Sequence, residues 1–175
     1  MKCFLIISFL MYGCVTKNKI DTPAVLKGKV VKIVDGDTYD ILLENNITRR
    51  IRMEGIDAPE RRMPFYQVSK DYLATLCFGQ VVSIKQTDID RNGRWIATTY
   101  QKNGSELGRL MIEGAYAWHF KRYSTSKLLA NAENEARINR VGLWADSLPV
   151  APWEWRKKSR NKKSGKEGVS VGISP

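Results

Sequence analysis

The chain has 175 residues and a formal net charge of +11. That length suits one domain whose core needs no disulfide staples, and the charge selects polyanionic partners, nucleic acid ahead of anionic lipid. Three cysteines are present, but Cys3 and Cys14 fall in an N-terminal leader, which leaves Cys77 alone in the folded part, excludes an internal disulfide there and makes Cys77 a buried small hydrophobe.

The leader, MKCFLIISFLMYGC, sets a lysine before an apolar run from Cys3 to about Tyr12. It reads as a signal peptide over 1–13, too short to span a membrane as a stable helix. Its Met11-Tyr12-Gly13-Cys14 ending resembles a bacterial lipobox, in which the cysteine becomes the lipidated first residue. The expectation is an exported protein, either a cell-envelope lipoprotein attached to the membrane through Cys14 or, without lipidation, a secreted one. Residues 14–23 read as a polar tether, 24–155 as the folded domain and 156–175 as a basic disordered tail.

Within the domain, Val25 to Val34 is rich in β-branched residues and ends at Asp35-Gly36, a signal for a two-residue hairpin. Tyr39, Ile41 and Leu43 then alternate with Thr38, Asp40 and Glu44. After Asn45-Asn46, Ile47, Arg49, Ile51 and Met53 alternate with polar residues. From Pro64 to Phe78 the period becomes helical, with Val68, Tyr72, Leu73, Leu76 and Cys77 on one face and Gly79 at the stop. Val81 to Gln86 and Arg94 to Tyr100 read as strands either side of Asn92-Gly93. Ser105 is placed to cap a short helix carrying Leu107, Leu110 and Met111. Ser124 or Thr125 is placed to cap a longer one with Leu128, Leu129, Ala132, Ala136 and Ile138 inward. The fold class is α+β, mainly β: a five-stranded Greek-key barrel of the OB type with three α-helices. The tryptophans of the 149–155 stretch imply an ordered wrap.

The segment Arg52-Met53-Glu54-Gly55-Ile56-Asp57-Ala58-Pro59-Glu60 packs an arginine and three carboxylates into nine residues. Proline stops a strand near Ala58, leaving Asp57 at a strand end and the Ala58 carbonyl free to face a cation, while oxygen ligands suit a hard divalent ion such as Ca²⁺. Asp37 and Arg94 also sit where strands meet turns. Arg52 and Asp57 are an odd number of residues apart and would face opposite ways on a regular strand, so the alternation must break between them, at Gly55. Taken singly, Asp35-Gly36 and Asn92-Gly93 belong in any hairpin and the arginines in any solvated strand. Their joint occurrence is what points to a site.

The motifs Val34-Asp35-Gly36-Asp37-Thr38, Arg52 five before Asp57, Asp57-Ala58-Pro59-Glu60 and Asn92-Gly93-Arg94 resemble those of the thermonuclease, or staphylococcal nuclease, family from about Val25 to Trp144. The resemblance implies an OB-barrel phosphodiesterase that cleaves DNA and RNA with Ca²⁺ and leaves 3′-phosphate ends. It implies Asp37, Asp57 and the Ala58 carbonyl as metal ligands supported by Asp35, with Arg52, Glu60 and Arg94 catalytic. It further implies Arg91, Phe120 and Tyr123 as nucleic-acid contacts, and the chain is expected to be a monomer. Ala58 stands where the type member has a threonine, Arg91 where it has a lysine and Phe120 where it has a tyrosine. A second reading from the residues is a non-catalytic OB-type nucleic-acid-binding module. For such a module the acids have no use, since they oppose a polyanion unless a metal bridges them.

Overall fold

The computed structural model describes residues 25–167, with side chains to 162. The leader, the tether, Cys14 and the last eight positions, 168–175, lie outside the described residues. Five strands, β1 (Val25–Ile33), β2 (Thr38–Leu43), β3 (Thr48–Met53), β5 (Val81–Ile89) and β6 (Trp95–Tyr100), close a barrel in the order β1-β2-β3-β6-β5. A two-stranded ribbon, β4 (Ile56–Asp57) and β7 (Trp118–His119), lies beside it. The helices are α1 (Tyr66–Cys77), α2 (Leu107–Glu113), α3 (Lys127–Ile138) and α4 (Pro152–Glu167), with a 3-10 turn at Gly142–Ala145.

Alternation drives the barrel. Tyr39, Ile41, Ile51, Met53, Ile84 and Ala97 point inward and are fully or almost fully buried, and the Tyr39 hydroxyl is satisfied by Thr99 Oγ1 at 2.7 Å. β1, β2 and β3 form an antiparallel meander, but β3 pairs with β6 in parallel, Ile51 opposite Trp95 and Met53 opposite Ala97. This parallel closure fixes the site. In β3, Arg52 stands between Thr38 of β2 and Ile96 of β6, so the Val34–Asp37 turn and the residues just before β6 meet at one rim.

Several local expectations change. The β1–β2 connection is four residues long rather than two, closed by Val34 N–H to Thr38 O at 2.9 Å and Asp35 N–H to Thr38 O at 3.1 Å. Glu106 rather than Ser105 is the N-cap of α2 and gives no side-chain cap. Ser126, not Ser124 or Thr125, caps α3, its hydroxyl accepting from Leu129 N–H. Leu128 and Ile138 are exposed, while Glu133 is buried on the α3 face. There it meets Lys121 at 2.9 Å and Arg137 at 3.4 Å, and accepts from the His119 backbone N–H.

The largest correction is the tail. Residues 156–167, expected to be disordered, continue α4, which starts with Pro152 at the first helical position, where its missing N–H costs nothing. The described residues therefore form four α-helices rather than three. What anchors α4 is an apolar patch apart from the barrel core: Ala115, Trp118, Ala136, Leu143 and Trp144, with Phe65, Ala151 and Trp153 packed against it.

α1 shows how burial overrides pattern. Leu73 and Cys77 are fully buried on the barrel and Ser69 takes the third inward position, donating to Tyr116 O at 2.8 Å, whereas Val68 is exposed. Leu73→Ala is expected to lower the unfolding free energy by about 2–5 kcal/mol. Val68→Ala should stay within about 0.5 kcal/mol of the wild type, both read as urea midpoints at constant m-value.

Candidate active site

The β3–β4 break brings the acids together. Gly55 takes φ 75° between Met53 and Ile56 and ends the regular strand. A side chain there would also meet Leu129 Cδ1 at 2.9 Å. Past that turn Asp57 pairs with Trp118 in the β4–β7 ribbon and its carboxylate returns to the same side as Arg52. Arg52 Nη2 lies 3.1 Å from Asp57 Oδ1, Arg52 Nε 3.2 Å from Asp37 Oδ1, and Arg52 Nη1 donates to Met53 O at 2.6 Å. One guanidinium thus holds two buried carboxylates.

Asp37 is fixed on every side. Its Oδ2 accepts from the Ala58 N–H at 2.7 Å, its Oδ1 accepts from the Thr38 hydroxyl at 2.9 Å, and its own N–H donates to Asp35 Oδ1 at 3.1 Å. Gly36 serves this contact through its size rather than through a left-handed turn. A Cβ there would run into Ser69 Oγ and sit 2.8 Å from Ala58 Cβ. Burial, with repulsion from Asp37, pushes the Asp35 carboxyl up to about 7. Burial also raises Asp57, against the pull of its hydrogen bonds from Arg156. In both, burial outweighs the cations nearby.

Arg94 reaches the same rim from the other hairpin. Its Nε donates to Asp90 Oδ2 at 2.7 Å, and its Nη1 lies 3.5 Å from the Thr38 hydroxyl that itself donates to Asp37. Asp90 also accepts from the backbone N–H groups of Asn92 and Arg94, and these bonds hold its carboxyl below the usual value despite some burial. Asp90 was not foreseen as a site residue. A carboxylate four before an arginine across Asn92-Gly93 is the signal that identifies it.

Glu60 and Asp57 share a partner that sequence reasoning left out, Arg156 of α4. Arg156 Nη1 lies 2.5 Å from Glu60 Oε1 and 3.1 Å from Asp57 Oδ1, and Nη2 lies 2.7 Å from Asp57 Oδ2. Arg91 is exposed on the β5–β6 turn, and no bond ties it to the acids. Phe120 carries Trp153 stacked on it (centroids 5.3 Å apart, 2° between planes) and Tyr123 edge-on at 4.9 Å, and Tyr123 is the exposed member. His119 is buried, with Nε2 3.1 Å from Ser124 Oγ. A cleft of about 500 Å³ borders Arg94, between Arg50 and Asn92, and a second of about 390 Å³ borders Phe120 and Trp153.

A family model described as Staphylococcal nuclease homologue matches residues 50–146. The chain belongs to the staphylococcal nuclease family. It is 35% identical over 131 residues to an uncharacterized endonuclease of Escherichia coli O157:H7, covering 75% of this chain and 85% of that one. It is 36% identical over 145 residues to the micrococcal nuclease of Shigella flexneri, covering 77% and 83%. A staphylococcal-like nuclease of Arabidopsis thaliana is 42% identical over 111 residues, 63% of this chain and 34% of that protein. The chain is thus a nuclease, an enzyme acting on nucleic acid, and the non-catalytic binding module is set aside.

In this nuclease the packing beside the acid cluster leaves no room for a side chain at position 36. Gly36→Ala is expected to cost about 1–3 kcal/mol of stability through overpacking. Because the added methyl pushes on Ser69 and Ala58, the shift should be visible in the Ser69, Ala58 and Asp37 amide resonances and in reduced cleavage.

Proposed function

We propose that this nuclease hydrolyses phosphodiester bonds of DNA and RNA with Ca²⁺ held by Asp37, Asp57 and the Ala58 carbonyl, leaving 3′-phosphate ends. The observation that carries the reading is the pairing of two buried carboxylates through Arg52, with Arg94 one hydroxyl away. The donor set fits a hard cation: the side chains are carboxylates, and no histidine or cysteine joins them. Among the described residues no group of three or more His, Cys, Asp or Glu side chains is arranged around one point, so the remaining ligands would be backbone oxygen and water, as Ca²⁺ accepts. Asp35 would support Asp37 through the hydrogen bond between them.

When bound, the ion polarises the phosphate and offsets charge growing on its oxygens. Arg52 and Arg94 each present a planar fork suited to two phosphate oxygens, and both are held in advance, Arg52 by Met53 O and the two acids, Arg94 by Asp90. Glu60 is about two-fifths exposed at the mouth of the cluster and would take the proton of the attacking water. Tyr123, exposed beside Phe120, offers a face for a base. The leader supports export, with lipid attachment through Cys14, and the chain is read as a monomer.

Plasmid DNA incubated with Ca²⁺ should be cut and should remain intact with chelator; cutting that survives chelation would overturn the metal reading. Arg94→Lys keeps the charge but loses the fork. It should lower kcat by about 10²–10³ while calorimetric Ca²⁺ binding is unchanged. Asp57→Asn should abolish that binding.

A further inference from the structure

Helix α4 lies beyond residues 50–146, the stretch matched by the family model. Its first turns put one side chain into the acid cluster. Trp153 and Arg156 are three apart and share a helix face. Trp153 stacks on Phe120, and the Arg156 guanidinium passes 5.8 Å from the same ring before reaching Asp57 and Glu60. Phe120 is itself fixed to the site, its N–H donating to Gly55 O at 2.8 Å. The ring therefore sets the helix at the height where Arg156 meets the acids.

We propose that Arg156 is a displaceable counterion: it neutralises Asp57 and Glu60 when no divalent ion is bound, and it must leave Asp57 before the ion can take that carboxylate. The inference rests on the reading of Asp57 as a metal ligand. Both Asp57 oxygens are occupied in this arrangement, Oδ1 by Arg52 and Arg156 together and Oδ2 by Arg156. Of the two arginines, Arg52 is the more buried, with 13% of its side chain exposed, while Arg156 is 36% exposed. Water can take over the Arg156 guanidinium as it departs, whereas Arg52 stays held by Met53 O and both acids. The departure frees Glu60 at the same moment, because the same Arg156 nitrogen that binds Asp57 Oδ1 also binds Glu60 Oε1. Ion entry and release of the carboxylate that is to accept a proton are thereby one event.

The test compares wild type, Arg156→Gln and Arg156→Lys by calorimetric titration with CaCl₂ and by thermal unfolding in chelator. Removing a competitor should tighten Ca²⁺ binding in R156Q by about tenfold, equal to about 1.4 kcal/mol, with R156K between it and wild type because an ammonium keeps the charge but loses the two-nitrogen grip on the Asp57 carboxylate. In chelator the order should reverse, R156Q melting lowest. Opposite signs in the two measurements distinguish a counterion from a merely structural residue, whose loss would weaken both. Equal or weaker Ca²⁺ binding in the variants overturns the counterion role and leaves the metal reading standing, whereas no Ca²⁺ binding in any of the three proteins overturns both. Should R156Q not fold, the comparison of R156K with wild type decides the question on the same criteria.

Discussion

Two buried carboxylates, Asp37 and Asp57, coexist in this fold because one guanidinium lies between them. Asp37 and Asp57 are 6% and 1% exposed, and two like charges buried side by side carry a desolvation and repulsion cost that a shared cation offsets. Arg52 meets both, and the architecture around it serves that meeting. The β2–β3 register brings Thr38 opposite Arg52, the Gly55 turn redirects Asp57, and a glycine at 36 lets the Asp37 loop settle against Ala58. Buried ion pairs of this kind are weak evidence for stability, since desolvation offsets most of the attraction. A cluster kept at that expense is better explained by chemistry than by folding.

The second contribution comes from outside the barrel. The β4–β7 ribbon, Phe120 and α4 form an aromatic wall: Trp118 lies edge-on to Trp144, and Phe120 is layered on Trp153. Arg137 lies over Trp144 with its guanidinium carbon 3.8 Å from the ring centroid. Through Phe120 and Trp153 this wall brings Arg156 onto Asp57 and Glu60.

Much of this was legible in the residues. Five strands and their barrel followed from alternation and turn chemistry, and the break at Gly55 followed from the odd spacing of Arg52 and Asp57, because side-chain direction in a strand has period two. The meeting of Asp37, Asp57, Arg52 and Arg94 at one rim was expected from their places at strand ends. Inward positions on helices were less legible: Val68 and Ile138 have the right spacing and face solvent, while Ser69 and Glu133 are buried because each finds a polar partner. Composition misled most at α4. A run rich in lysine reads as solvated, but order there is decided by tertiary contacts, Trp153 on Phe120 and Arg156 on two carboxylates, which no local pattern displays. Pro152 followed by Trp153 and Arg156 at helical spacing was the available hint.

The parallel pairing of β3 with β6 has an effect on the order of events during synthesis. All the carboxylates of the cluster belong to positions 35–60, yet the strand that closes the barrel beside them ends at Tyr100, and Arg94 arrives only with it. A nascent chain that has made the acidic half holds an unclosed sheet whose β3 edge has no neighbour. A fragment released early therefore carries the acids and Arg52 without the strand that closes the barrel and without Arg94.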